Sequence, residues 1–258
     1  MFLPYLIYVF AFILGAVVGS FLNVCICRIP KKESVVSPPS HCPNCNYVIR
    51  WYDNIPILSY LFLKGRCRGC GEPISPQYPV VELINGLLAV ALLAKFGLGF
   101  SFAVLFVFCS ALVVITFIDL EHQIIPDRIT LPGIVAGFIV SFFLPNFGWQ
   151  NSLIGILAGG GSLLLIAFAY SLITKKDGMG GGDIKLMAMM GAFFGWQAVL
   201  FIIFASSLLG SIIGVAVMLA RKEDSTFAIP FGPFLSGASI LYIFYGRQIM
   251  IWYLSIGR

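Results

Sequence analysis

Residues 3–27 read LPYLIYVFAFILGAVVGSFLNVCIC, a run of 25 without one charged side chain. At a rise of 1.5 Å per residue such a run is long enough to cross the ~30 Å hydrocarbon of a bilayer as one helix. It has no basic flank before it and is too long for a signal-peptide core, so it reads as a retained first span. Comparable runs recur at 79–97, 100–118, 129–145, 152–174, 184–195, 197–220 and 230–254, which makes eight. The sixth is short for a full crossing and fits a half-helix. The composition agrees: 59% of the 258 residues are hydrophobic, 10% are charged, and the mean hydropathy is +0.97. A soluble domain of that size has no core large enough for so much apolar side chain, and lipid takes its place. The expected architecture is an all-α polytopic membrane protein. Its parts are a first transmembrane helix at 1–27, a small cytoplasmic domain at 28–78 and a transmembrane domain at 79–258.

Orientation follows from charge. Under eight spans, Arg28, Lys31, Lys32, Arg50, Lys64, Arg66, Arg68, Arg128, Lys175, Lys176, Lys185, Arg221 and Lys222 share one side, against Lys95, Arg247 and Arg258 on the other. The positive-inside rule then places the N-terminus outside and residues 28–78 in the cytoplasm. The basic residues are spread over several loops rather than gathered on one face, which argues against nucleic acid as a partner. Pairs of glycines four apart, such as Gly15/Gly19, Gly133/Gly137, Gly155/Gly159, Gly191/Gly195 and Gly210/Gly214, read as close-packing faces between helices. No internal repeat is evident.

A segment of about 50 residues cannot build a self-sufficient core, so 28–78 needs a staple. Cys42-Pro-Asn-Cys45 and Cys67-Arg-Gly-Cys70 supply one. Each CxxC turn presents two thiolates to a single tetrahedral zinc, and the reducing side of the membrane favours metal over disulfides. Four sulfur ligands leave no open position, so the zinc is structural. His41 is a neighbour, and Cys25, Cys27 and Cys109 read as small packing residues in apolar spans.

Most acids sit in polar loops, but two do not. Asp119 follows Val113-Val114-Ile115-Thr116-Phe117-Ile118, and Asp183 closes a Gly-rich segment just before an apolar helix. Ionisable groups at spans are costly and mark function. Each alone is also explained as a helix-boundary acid, Asp183 as an N-cap. Together, on one side of the membrane, they suit a pair in which one carboxyl keeps a proton and the other remains charged, base and acid for one attacking water. Gly178, Gly180, Gly181 and Gly182 would let a substrate backbone approach Asp183. Asp127, beside Arg128, reads as a cap or surface ion pair, and Glu121 and His122 as loop residues. A zincin is excluded by the lack of HExxH, and a serine hydrolase at Ser239 would have no base, since the only histidines are His41 and His122.

With these motifs in order, the chain resembles the type IV prepilin peptidases, bacterial inner-membrane aspartyl proteases of the GxGD class. The resemblance rests on Gly19-Ser20-Phe21-Leu22-Asn23-Val24, both CxxC turns, Trp51-Tyr52-Asp53-Asn54-Ile55-Pro56, Tyr78-Pro79-Val80-Val81-Glu82-Leu83, Asp119 with Ile125-Pro126-Asp127, and Gly180-Gly181-Gly182-Asp183-Ile184-Lys185-Leu186. It implies that Asp119 and Asp183 are catalytic and that the substrate is a type IV prepilin or pseudopilin cut on the cytoplasmic side. It also implies that S-adenosylmethionine serves to N-methylate the new N-terminus. Glu82 and Gly86 mark the neighbourhood in which that second site is expected. Two other classes compete: an ion-coupled transporter, which would place its acids at the midplane between inverted repeats, and a non-catalytic zinc-ribbon scaffold of a secretion complex. Nothing in the sequence specifies an oligomeric state.

Overall fold

The computed structural model describes residues 3–144, 147–175, 180–221 and 230–256, and among these the chain is helical. The helices are α1 (Leu3–Arg28), α2 (Leu58–Phe62), α3 (Gln77–Phe96), α4 (Phe100–His122), α5 (Asp127–Val140), α6 (Gly148–Thr174), α7 (Gly181–Arg221) and α8 (Gly232–Ile256), with a 3-10 turn at Trp51–Asn54 before α2. Five of them are long and apolar enough to span a membrane: Tyr5–Arg28, Gln77–Phe96, Phe100–His122, Gly148–Thr174 and Gly181–Leu219. Their outward faces carry Phe10, Leu165, Phe168, Leu200 and Phe204, all more than half exposed, which is the surface a lipid solvent permits.

The chain divides into two compact units, Met1–Val114 and Ile115–Arg258. In the first, α1 and α3 lie against each other because Gly15 and Gly19 have no side chains. A Cβ on Gly15 would stand 2.7 Å from the Asn85 carbonyl oxygen, and one on Gly19 would stand 2.7 Å from Glu82 Cα. Polar side chains then join the two backbones. Asn85 Nδ2 donates to Gly15 O at 2.8 Å, Asn23 Nδ2 to Tyr78 O at 3.1 Å, and Ser110 Oγ of α4 to Asn85 Oδ1 at 2.9 Å. In hydrocarbon, such bonds satisfy polar groups that lipid cannot.

The second unit packs α5, α6 and α8 on α7. At the α6–α7 contact Gly155 and Gly191 meet backbone to backbone, with no room for a Cβ on either. Along α7 the residue Gly195 has φ 80° and ψ 177°, outside the helical region and open only to glycine. That break divides α7 into 181–194 and 196–221, and so falls between the stretches read as spans six and seven. The first part rises only about 21 Å, short of the hydrocarbon thickness. The fourth span, read as 129–145, is shorter than its sequence suggested: α5 is 14 residues long and ends at Val140, where Ser141 turns the chain. Lys176, Gly178, Lys222 and Arg258 lie outside the described residues.

Candidate active site and metal cluster

Asp119 sits in the last turn of α4 and is 5% exposed. Its Oδ2 accepts a hydrogen bond of 2.9 Å from the backbone N–H of Gly232, the first residue of α8. A Cβ at Gly232 would stand 2.7 Å from that same oxygen, so glycine is what lets the amide reach the carboxyl. The N-terminus of a helix carries about +0.5 charge, and here it faces an acid.

Asp183 stands in the first turn of α7, its own N–H bonded to Gly180 O at 3.1 Å. Its Oδ1 is buried and, among the described residues, has no hydrogen-bond partner. Asp119 is close enough for the charge of one carboxyl to act on the other. A buried polar atom without a partner costs about 1–3 kcal/mol, and it is what a site poised for water or substrate would present.

The glycines before Asp183 do different jobs. Among the described residues nothing lies within 4 Å of a Cβ added at Gly181, and a Cβ on Gly180 would meet Asp183 Oδ2 at 3.4 Å. The space beside Gly182 is not left for a substrate: it is filled by Ile125, whose Cβ would stand 2.7 Å from an added one. Ile125 precedes Pro126 and Asp127, and Asp127 forms a bidentate ion pair with Lys185 at 2.7 and 2.8 Å. Asp127 is thus in an ion pair, as its sequence context suggested, but with Lys185 and not its neighbour Arg128. Ile125–Asp127 and Gly182–Lys185 clasp each other on either side of Asp183. Sequence reading missed Ile125, Lys185 and Gly232 as parts of this site. Glu121 and His122 are exposed in the last turn of α4. Ser239 is fully buried, its Oγ unpartnered among the described residues, with no histidine to activate it.

In the first unit the four cysteines converge. Cys42 Sγ and Cys70 Sγ lie 3.9 Å apart, as do Cys45 Sγ and Cys67 Sγ, and all four ligand atoms fall within 4.8 Å of one another. A tetrahedral zinc with ~2.3 Å bonds to sulfur sets its ligands about 3.8 Å apart, whereas a disulfide requires about 2.05 Å. The cluster therefore suits a metal. Its two halves repeat each other 25 residues apart, a repeat that the sequence does not advertise. Cys42 N donates to Tyr47 O and Cys67 N to Glu72 O, Asn46 N to Cys42 O and Gly71 N to Cys67 O, and Ile49 N to Ser40 O and Ile74 N to Gly65 O. Asn46 and Gly71 share a left-handed φ, of 57° and 75°.

The N–H groups of Cys70 and Gly69 pull the Cys67 thiol down to about 7. At Cys70 the Glu72 N–H pulls the same way, but burial and the surrounding sulfurs prevail and push that thiol up to about 12. Without a cation, neighbouring thiolates resist one another. His41 lies outside the cluster, with Nδ1 3.1 Å from Pro39 O. Cys25 and Cys109 are buried as expected of packing residues, while Cys27 is exposed and sits 3.7 Å from Tyr78 OH.

Glu82 is 7% exposed, and its Oε2 accepts the Ile57 N–H at 2.7 Å. Gly86 gives way to Phe12, whose ring carbon would stand 2.8 Å from a Cβ there. Both residues therefore have a role at the α1–α3 contact.

Residues 13–96 match the Bacterial Peptidase A24 N-terminal domain and residues 106–215 match the Type IV leader peptidase family. A prepilin leader peptidase/N-methyltransferase of Aeromonas hydrophila is 38% identical over 277 residues, covering 98% of this chain and 96% of its own length. The protein of that name from Pseudomonas aeruginosa is 36% identical over 94% of this chain and 91% of its own. One from Myxococcus xanthus is 43% identical over 82% of this chain, which spans 63% of that longer relative. No solved structure matches. Sequence match, helical membrane architecture and four-cysteine cluster together place the chain in the type IV leader peptidase family, with the bacterial A24 N-terminal domain ahead of the peptidase domain.

Proposed function

We propose that this enzyme, a prepilin leader peptidase and N-methyltransferase, cuts with Asp119 and Asp183 as its catalytic pair, on the cytoplasmic side of the bacterial inner membrane. The observation that carries the reading is the contrast between the two carboxyls. Asp119 is held by an N–H at a helix N-terminus, and Asp183 Oδ1 is buried with no hydrogen-bond partner among the described residues. A hydrogen bond donated to a carboxylate favours its charged form, so Asp119 is the base and Asp183 carries the shared proton. Asp119 takes a proton from a water as its oxygen attacks the scissile carbonyl. Asp183 donates to the developing oxyanion and takes that proton back as the carbonyl re-forms, while the proton gained by Asp119 passes to the leaving amine as the C–N bond breaks. The substrate is a type IV prepilin or pseudopilin, and the piece removed is its short basic leader. The sidedness rests on the thirteen-to-three distribution of basic residues.

The metal at Cys42, Cys45, Cys67 and Cys70 is zinc, in a structural role, since four thiolates leave it no open coordination position. It staples the cytoplasmic 28–78 domain between the first helix and the 79–258 membrane domain. The second activity transfers a methyl group from S-adenosylmethionine to the new N-terminal amine. Its neighbourhood is proposed around Glu82 and Gly86. Gly86 packs against Phe12, and Glu82 accepts the Ile57 N–H.

Purified protein in detergent, given a prepilin and labelled S-adenosylmethionine, tests both activities. A shortened product bearing one added methyl group is expected. An uncut prepilin would overturn the peptidase reading, and a cut but unmethylated product would remove the second.

A further inference from the structure

We infer that the segment from Trp51 to Arg66 is a membrane-embedded surface of the metal domain, with its apolar side chains at the acyl boundary and Lys64 and Arg66 among anionic lipid headgroups. Antiparallel α1 and α3 set Asn23 level with Tyr78 and Gly19 level with Glu82. The Trp51–Phe62 segment is tied to that pair at two points: Ser20 Oγ donates to Asn54 Oδ1 at 3.3 Å, and Ile57 N to Glu82 Oε2 at 2.7 Å. Ile57 holds a left-handed φ of 62°, rare for a β-branched residue, so the chain bends at that anchor.

Ser20 precedes Arg28, the first charged residue of α1, by two helical turns, about 12 Å along the axis. Glu82 lies about 7 Å inside the start of α3. A segment tied at these points sits below the helix ends, in the ~5–10 Å layer that interfacial amphipathic elements occupy.

Its side chains suit that layer. Leu58, Leu61 and Phe62 share one face of α2 and are 51%, 63% and 82% exposed, and Trp51 before them is 80% exposed. In water such a cluster would be costly. At a membrane boundary the aromatic rings take their preferred place. A cavity of about 220 Å³ against the same part of α1 is lined by Val17, Phe21, Val24 and Pro56 together with the hydrogen-bonded Ser20 and Asn54, and it has room for the end of an acyl chain.

Directly after α2 come Lys64 and Arg66, both exposed and neither in a salt bridge among the described residues. With Glu72 they line a cavity of about 400 Å³. Arg68, by contrast, is neutralised by Asp53 at 2.7 Å. Unpaired cations just beyond an apolar face match lipid phosphate. The headgroup part of the inference rests on the cytoplasmic sidedness proposed above; the depth does not.

The test uses the intact chain in nanodiscs, with Trp149→Phe, Trp196→Phe and Trp252→Phe leaving Trp51 as the sole tryptophan. Spin-labelled lipid is expected to quench Trp51 at least about twofold more strongly than aqueous acrylamide does, each relative to free tryptophan in its medium. Adding phosphatidylglycerol to phosphatidylcholine discs should deepen the lipid quenching, and Lys64→Gln with Arg66→Gln should abolish that gain. Free access of acrylamide to Trp51 would overturn the proposal. Shielding from both quenchers would overturn it as well, in favour of a second copy or another protein on this face. Quenching indifferent to phosphatidylglycerol would overturn the headgroup assignment. Adding Asp119→Asn should leave every quenching value unchanged, so a failure of the peptidase reading is separable from a failure here.

Discussion

The N–H of Gly232 and the Oδ2 of Asp119, 113 residues apart in sequence, are joined by a hydrogen bond of 2.9 Å at the start of α8. The bond exists only while residue 232 has no side chain. Gly232→Ala brings a Cβ to 2.7 Å from that oxygen and must displace the carboxyl. A misplacement of about 1 Å at a reacting group costs on the order of 10²-fold in rate. Leader cleavage by Gly232→Ala is expected to fall by roughly that factor through kcat, with metal content unchanged. Full activity in a folded variant would remove the amide from the mechanism.

Asp127 and Lys185 form the only bidentate lysine–carboxylate pair among the described residues, and they flank Asp183. Half-exposed pairs contribute about 0–1 kcal/mol to stability, so breaking this one should hardly move the melting temperature. Its effect is expected on position: Asp127→Asn or Lys185→Met should lower kcat about tenfold with KM little changed. The exchanged pair Asp127→Lys with Lys185→Asp should recover part of the loss. Equal damage from the single and exchanged variants would argue against a clasp.

Gly182 faces Ile125 where an open approach to Asp183 was expected. Gly182→Ala therefore collides with Ile125, and a further Ile125→Gly change should relieve the collision and restore part of the cleavage rate. If Gly182 served substrate access instead, the second substitution would give no relief, which a paired rate measurement decides.

The four sulfurs predict one metal ion per chain. Cys42→Ser or Cys67→Ser should lower the zinc content well below one equivalent and make the 28–78 segment sensitive to proteolysis, since a small domain loses its staple. Zinc content unaltered by either change would place the metal elsewhere.

How far the sequence disclosed all this depends on the range of the interaction. Spans were legible because lipid demands long apolar runs, and Asp119 and Asp183 stood out as acids beside such runs. Gly195 also showed at a distance, as the boundary between two apolar stretches. The end of α5 did not, because Ser141-Phe142-Phe143-Leu144 is as apolar as the helix before it. Gly232 and Lys185 were hidden for a different reason: each acts through a partner dozens of residues away, and an ordinary glycine or lysine carries no local sign of that. The 25-residue repeat of the cysteine knuckles lies in backbone hydrogen bonds, so dissimilar residues such as Tyr47 and Glu72 occupy equivalent places.

Cleavage by this mechanism requires both carboxyls at once. Wild type, Asp119→Asn and Asp183→Asn, purified in detergent and given the same prepilin, should be compared for the rate of leader removal. Each substitution is expected to cut that rate by at least about 10³-fold while leaving zinc content intact. Cleavage near the wild-type rate by either variant would contradict the proposed mechanism.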